Sequence, residues 1–160
     1  MPSAGGGVSV GVRGICLVLT TCTVVACSTP RWPVDAPMTS PYGFRFMVLR
    51  PDIHRGVDLE VPEGTSVHAM KDGRVRFAGV MDGYGNVVWL EHGKHVLTVY
   101  AHLSQTRIAR GDVVDAGTVI GLSGSTGDTS GPHLLFEVWR WGREVDPVPL
   151  LGGKPRRSGG

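Results

Sequence analysis

The fold of this chain is indicated most clearly by the stretch Gly131-Pro132-His133-Leu134-Leu135-Phe136-Glu137-Val138. Successive side chains of a β-strand point to opposite faces, so His133, Leu135 and Glu137 would share one face. The stretch therefore predicts a strand that presents an imidazole, a branched alkyl group and a carboxylate side by side.

Two upstream segments carry side chains of related chemistry. His54 and Asp58 stand in His-Arg-Gly-Val-Asp, and His102 stands in Tyr-Ala-His-Leu. Imidazole nitrogen and carboxylate oxygen bind zinc, and a hydrolytic zinc site needs three protein ligands and one position open for water. By itself, the pair His54 and Asp58 is also compatible with a surface turn that holds a charge-assisted hydrogen bond.

Short apolar runs between turn residues predict an all-β domain from Ser40 onward, since no window keeps a helical period for three turns. One hairpin is expected to pair residues 67–70 with 74–79 across a turn in which Asp72-Gly73 supplies positive φ angles. A second is expected to pair residues 87–91 with 96–103. Residues 87–90 are nearly all apolar, which predicts a strand covered on both faces.

The length and net charge of the chain indicate a single domain and argue against a nucleic-acid-binding protein. A chain of 160 residues has room for one domain and a targeting segment. The net charge of +2 is too small to indicate a nucleic-acid-binding protein. Residues 152–160 form a Gly-rich tail with Lys154, Arg156 and Arg157, which we expect to be flexible and solvated.

The first 26 residues predict an export signal. A single charge, Arg13, precedes an apolar stretch, residues 15–26, that is too short to span a bilayer comfortably. The stretch ends in Val24-Val25-Ala26-Cys27, which resembles a bacterial lipobox, where the cysteine becomes the lipidated first residue. The alternatives are an uncleaved anchor and an ordinary signal peptide cut near Ala26.

All three cysteines, Cys16, Cys22 and Cys27, lie in or at the end of this segment. A mature domain lipidated at Cys27 would contain neither a disulfide nor a cysteine metal site. Residues 27–38 are expected to be the lipidated cysteine and a Pro-rich tether that reaches roughly 40 Å, and residues 39–151 the domain.

Motifs run along nearly the whole of that domain: Thr39-Ser40-Pro41-Tyr42-Gly43 with Arg45, His54-Arg55-Gly56-Val57-Asp58, Pro62-Glu63-Gly64-Thr65, Asp72-Gly73-Arg74-Val75, Gly83-Tyr84-Gly85-Asn86, Tyr100-Ala101-His102-Leu103, Gly124-Ser125-Thr126-Gly127, Gly131-Pro132-His133 and Val145-Asp146-Pro147. Together these segments resemble the lysostaphin-type (LytM-type) zinc metalloendopeptidases, which cut peptidoglycan peptides.

The resemblance implies a mostly antiparallel β-sheet sandwich with a substrate groove. It matches His54 and Asp58 to two zinc ligands, and His102 and His133 to the two histidines that act in catalysis. The family's third zinc ligand is the second histidine of His-x-His, and Leu135 stands at that position. Because an alkyl group donates no lone pair, zinc binding is expected to be weak or absent.

Two functions remain open from the sequence. The first is a lipoprotein, held on an envelope membrane and facing the periplasm or cell wall, whose degenerate domain binds peptidoglycan peptides or regulates a cell-wall hydrolase. The second is an active zinc endopeptidase with a substitute third ligand, for which Glu137, His68, His92 and His95 are candidates. A biotinyl or lipoyl carrier domain with Lys71 at its turn is a fainter resemblance, which the export signal and the histidines oppose.

Overall fold

The computed structural model describes residues 29–47, 50–93 and 95–155. The described chain forms twelve strands and one short helix: β1 (Met38–Ser40), β2 (Gly43–Met47), β3 (Arg50–His54), β4 (Val57–Leu59), β5 (Ser66–His68), β6 (Gly73–Met81), β7 (Gly85–Glu91), β8 (Val96–Thr106), β9 (Val113–Val114), β10 (Val119–Ser123), β11 (Leu134–Arg140), β12 (Arg143–Val145) and α1 (Pro147–Leu150). No helix in these ranges is long and apolar enough to cross a membrane. The predicted export signal lies outside the described residues.

Ten of the strands form one sheet, and β2 and β3 form a separate hairpin. The sheet runs in the order β1-β4-β11-β8-β7-β6-β9, with β12 beside β11 and with β10 joining β8 to β5. Every pairing in both sheets is antiparallel. The prediction of an all-β, mostly antiparallel fold is therefore confirmed.

The main core lies on one face of the long strands, which we call the core face. Alternate residues of β7, β8 and β11, among them Leu90, Tyr100 and Phe136, pack there with Val67 of β5 and Ile120 of β10. The opposite face, which we call the open face, carries a smaller apolar cluster. Val87, Val99 and Ala101 are buried in it beneath partly buried side chains: Phe77, Met81, Tyr84, Trp89, Leu97, Leu135 and Trp139.

One of the two predicted hairpins is confirmed. Strands β7 and β8 pair as expected, and the turn between them contains Gly93 at φ 75° and His95 at φ 69°. Its base is fixed by buried His92, whose Nδ1 donates to the Asp72 carbonyl oxygen (2.8 Å) and whose Nε2 lies 2.7 Å from Thr98 Oγ1. Burial lowers the pKa of His92, which favours the neutral ring.

The other predicted hairpin is wrong. Strand β5 pairs with β10 rather than with β6, and Gly73 does not take a positive φ. The connecting residues are held by distant partners instead: the Met70 backbone N–H donates to the Tyr100 hydroxyl (2.9 Å), and the Ala116 N–H donates to Asp72 Oδ1 (2.8 Å). The Asp72 side chain therefore ties down the chain between β9 and β10 rather than making a local turn.

The predicted boundaries of the domain also need correction, because residues 31–38 pack on it. Val34 and Ala36 are buried, and Trp32 packs edge-on against Phe136. The Trp32 indole N–H donates to the carbonyl oxygen of Gly153 (3.1 Å), within the predicted basic tail. Both terminal segments are therefore part of the fold as far as they are described.

A close approach between the chain at Gly56 and strand β11 positions His54 and Asp58. A Cβ atom at Gly56 would overlap the Phe136 carbonyl oxygen and would lie 2.9 Å from Glu137 Cγ. Only glycine lets the backbone lie this close to its neighbour. The two-residue link between β3 and β4 can therefore lie directly against β11, with His54 at its start and Asp58 in β4 just after it.

We expect Gly56→Ala to lower the free energy of unfolding by about 1–3 kcal/mol, the usual cost of an overpacked interior. The measurement is urea unfolding of the full-length chain. Gly131→Ala is the matched control, since no atom lies within 4 Å of its added Cβ and its φ is not positive. Equal stability of the two variants would contradict the close approach.

Candidate functional site

A groove with a volume of ≈ 580 Å³ lies on the open face, and we call it the site groove. It is lined by His54, Asp58, Gly83, Tyr84, His102, Asp128, Thr129, Ser130, His133 and Leu135. The four side chains predicted for the site and Leu135 therefore meet in one place, although up to 81 positions of sequence separate them.

The register of strand β11 sets the floor of the groove. Leu135 lies directly opposite Asp58 of β4 on one side and opposite Ala101 of β8 on the other. Opposed residues of an antiparallel pair point to the same face. The Leu135 side chain consequently lies beside the Asp58 carboxylate, where its alkyl group joins the small apolar cluster of the open face.

His54 is buried and held by the turn that follows β1. Its Nδ1 lies 3.0 Å from the Pro41 carbonyl oxygen and 3.3 Å from the Ser40 hydroxyl. Because a carbonyl can only accept, Nδ1 carries the hydrogen in this contact. The other nitrogen, Nε2, lies 3.1 Å from Asp58 Oδ1.

His133 lies near the same carboxylate oxygen. Its Nδ1 lies 2.9 Å from the Gly131 carbonyl oxygen and 3.0 Å from the Thr129 hydroxyl, and its Nε2 lies 3.6 Å from Asp58 Oδ1. Two imidazoles therefore point Nε2 at one carboxylate oxygen. This arrangement accommodates a shared proton or a cation between the three groups.

His102 completes the set of imidazoles. Its ring centroid lies 4.7 Å from that of His133, and its Nδ1 lies 2.8 Å from the Thr126 carbonyl oxygen. Burial lowers the pKa of His102, and the neighbouring His133 adds to the effect. A neutral ring whose Nδ1 donates to a carbonyl keeps the lone pair on Nε2, so His102 can accept a proton or a hydrogen bond.

His54 and Asp58 are adjacent in the groove, and the side chain next to them on β11 is the hydrocarbon of Leu135. Among the residues that the structure describes, no group of three or more His, Cys, Asp or Glu side chains is placed to hold a metal ion. Leu135 itself offers no lone pair to a metal ion.

The substitute ligands considered from the sequence have other partners. Glu137 is buried, and its two carboxylate oxygens accept from the Tyr84 hydroxyl (3.0 Å) and the Trp139 indole N–H (2.8 Å). His68 contacts the Pro33 carbonyl oxygen, His92 supports the β7–β8 turn, and His95 stacks on Trp141. None of the three histidines lines the site groove.

Sequence reasoning missed the polar wall of the groove and one aromatic side chain. Asp128, Thr129 and Ser130 line the groove from the loop between β10 and β11. Tyr84 belongs to the motif Gly83-Tyr84-Gly85-Asn86, yet it lines the groove while its hydroxyl donates to Glu137. Burial raises the pKa of both Tyr84 and Glu137. The cluster of Asp, Thr and Ser beside His133 was the available signal for the wall.

Known proteins of the cell envelope resemble this chain over most of its length. The DD-carboxypeptidase/endopeptidase Mpg of Neisseria meningitidis is 43% identical over 115 residues, which are 71% of this chain and 26% of that protein. The murein hydrolase activator EnvC of Escherichia coli is 39% identical over 122 residues, which are 76% of this chain and 28% of that protein. The chain thus spans only about a quarter of these relatives' length.

A solved structure and a family model also match this chain. The catalytic domain of the antimicrobial peptidase lysostaphin from Staphylococcus simulans superposes with a TM-score of 0.68 at 34% identity, covering 74% of this chain and 93% of that domain. The model of Peptidase family M23 matches residues 52–147, a range that contains every residue predicted for the metal and catalytic site. Because that match spans more than half of the sequence, the chain belongs to Peptidase family M23.

Proposed function

We propose that this chain is a cell-envelope lipoprotein whose M23 domain binds peptidoglycan peptides in the site groove without cutting them. The single observation that carries the proposal is the position of Leu135, which lies opposite Asp58 and inside the groove. If the motifs correspond as the resemblance to the lysostaphin-type enzymes implies, the third zinc ligand of those enzymes would stand at this position. A groove that keeps its shape but lacks one donor is suited to binding rather than to metal-dependent hydrolysis.

The lining of the groove supports recognition of an extended peptide. Leu135 and Tyr84 offer apolar and aromatic surface, while Thr129, Ser130 and the imidazole of His102 offer hydrogen-bonding groups. A peptide presents backbone N–H and C=O groups together with alternating side chains. The groove can satisfy both kinds of group without any bond being broken.

The relatives support an envelope location and a link to cell-wall hydrolases. EnvC is a murein hydrolase activator, and the chain shares 39% identity with it over the aligned segment. We propose that this chain likewise regulates a cell-wall hydrolase, from a membrane to which lipidated Cys27 anchors it. The packing of residues 31–38 on the domain then keeps the groove close to that membrane.

One contact favours a second candidate function, an active zinc endopeptidase. His133 Nε2 lies 3.6 Å from Asp58 Oδ1, close to the separation of about 3.3 Å expected for two donors at 2.0–2.1 Å from one tetrahedral zinc ion. In that case His133 would act as the substitute third ligand, and His102 would remain as the histidine that transfers protons. Zinc binding by the unaltered chain separates the two functions.

The first test is to restore the missing donor. We expect the unaltered chain to lose zinc on dialysis against a mild chelator and to leave peptidoglycan intact. Leu135→His should raise the zinc affinity by at least about 100-fold, more than a second-shell partner usually contributes, and should produce zinc-dependent cleavage. The measurements are metal content and the release of fragments from purified peptidoglycan.

The control for this test is the double variant Leu135→His with His54→Ala, which should lose both the zinc and the cleavage. Zinc-dependent cleavage by the unaltered chain, equal to that of Leu135→His, would contradict the proposal. If His133→Ala then abolished zinc binding by the unaltered chain, His133 would be the substitute ligand.

The second test concerns binding in the groove. We expect Ser130→Trp to reduce sedimentation of the full-length chain with purified peptidoglycan severalfold, since an indole at this position fills the groove. Ser125→Trp is the matched control, because Ser125 is an exposed serine of the same loop that does not line the groove. Equal loss of binding in the two variants, at unchanged thermal stability, would place the binding elsewhere.

The third test concerns the anchor. Mass spectrometry of the mature protein should find an acylated N-terminus at Cys27, and Cys27→Ala should move the protein from the membrane fraction to the soluble fraction. A stable anchor requires more than one acyl chain, which the added mass reports directly. A mature chain that begins at another residue would rule out the lipoprotein assignment.

A further inference from the structure

Two hairpin tips lie side by side at the end of the sheet far from the site groove. One is the turn between β7 and β8, which ends at His95, and the other is Trp141-Gly142 between β11 and β12. The Trp141 backbone N–H donates to the His95 carbonyl oxygen (2.9 Å). The two rings stack with centroids 3.8 Å apart and planes 18° from parallel.

The backbone at both tips takes left-handed conformations that residues other than glycine rarely adopt. Trp141 has φ 56° and Gly142 has φ 75°, so both residues of this two-residue turn are in the left-handed region, where Asn-Gly is favoured. His95 has φ 69°. A bulky residue rarely takes such angles unless the position serves another purpose. Trp141 is 71% exposed, so burial of the indole compensates little of this strain.

Beside these rings lies a small cavity of ≈ 200 Å³, which we call the tip pocket. Its lining includes His95, Trp139, Arg76 and Glu91. Arg76 Nη1 lies 3.6 Å from Glu91 Oε2, and both side chains are substantially exposed. The pocket thus combines aromatic rings with one positive and one negative group, and its charges cancel.

This combination fits a sugar ring better than an anion or a fatty chain. One face of a pyranose ring presents C–H groups. Their hydrogen atoms carry a partial positive charge and are attracted to the negative face of an aromatic ring. Its hydroxyls both donate and accept, so a guanidinium and a carboxylate can bind the same ring from two sides. A phosphate would be repelled by Glu91, and an acyl chain would leave both charges without new partners.

The tip pocket and the site groove lie on the same face of the sheet. Leu135 in the groove and Trp139 in the pocket are both on the open face of β11, and Trp89 and Leu97 belong to the same cluster. From Leu135 to Arg140 the strand spans about 17 Å, at roughly 3.4 Å per residue. An extended peptide of about five residues covers the same distance.

We propose that the tip pocket, together with the exposed Trp141 ring stacked on its lining residue His95, binds a sugar residue of the glycan strand to which the groove's peptide is attached. This inference rests on the proposed function, because it takes the peptide in the groove to be part of peptidoglycan. The ligand would then be held at two points, by its peptide in the site groove and by its amino sugar on His95 and Trp141. Trp141 is the specificity-determining residue of the second point.

The test uses chitotetraose, a linear oligomer of N-acetylglucosamine that carries no peptide. The full-length chain is kept in a zwitterionic detergent without sugar groups, and binding is measured by calorimetry. Trp141→Asn should lower the association constant about tenfold, since a ring stack is removed. The same variant should keep or raise the melting temperature, because Asn suits a turn with positive φ. A tryptophan retained only for packing would instead lower the melting temperature when replaced.

The matched control is Val80→Asn, which replaces another exposed apolar side chain (77% exposed) outside the tip pocket and should leave chitotetraose binding unchanged. Failure of the unaltered chain to bind chitotetraose, or equal binding by Trp141→Asn, overturns the sugar site.

The sugar site and the proposed function of the groove can fail separately. If Ser130→Trp still reduces peptidoglycan binding severalfold while chitotetraose does not bind, the groove stands and the tip pocket does not. If chitotetraose binds through Trp141 while Ser130→Trp has no effect, the sugar site stands and the groove does not.

Discussion

The site depends on the contact between the backbone at Gly56 and strand β11. Because no side chain intervenes, β4 pairs with β11 in a register that sets Asp58 opposite Leu135. His54, two residues before the contact, then faces the same carboxylate at 3.1 Å. A one-residue shift in this register would turn Leu135 into the core and bring Phe136 to the groove. The composition of the site is therefore a consequence of strand pairing.

Backbone carbonyl groups fix the three imidazoles independently of any metal. Pro41, Thr126 and Gly131 each accept from the Nδ1 of one histidine. Hydrogen bonds of this kind orient metal-binding histidines and select the tautomer with the lone pair on Nε2. Since all three acceptors belong to loops that the sheet holds in place, the imidazoles keep their arrangement whether or not a third ligand is present. This explains how the groove can keep its form while its chemistry changes from hydrolysis to binding, as we propose.

The features that the sequence predicts correctly are those set by local pattern. Alternation in β11 placed His133 and Leu135 on one side, and the turn at Gly93 marked the β7–β8 hairpin. The failures involve long-range partners. The sequence predicts Asp72 to be a hairpin residue, but its side chain accepts a hydrogen bond from the Ala116 backbone N–H, 44 positions away. Trp32 stands in a Pro-rich segment without periodicity, yet it packs on Phe136 across the domain.

In the candidate site, too, the sequence predicts residues that belong to local motifs and misses a residue whose role depends on a distant partner. The histidines of the site and Asp58 are predicted from their distinctive side-chain chemistry and from motifs that match a family, and the structure brings them into one groove. Tyr84 was not singled out, since its role depends on a hydrogen bond to Glu137, 53 residues away. That hydrogen bond also bears on whether Glu137 could act as a substitute metal ligand. Glu137 shares a face with Leu135, but its carboxylate already accepts from a phenol and an indole. Turning the Glu137 side chain toward Asp58 would break both hydrogen bonds and bring two carboxylates together. The same sheet that forms the groove therefore holds the Glu137 carboxylate away from His54 and Asp58.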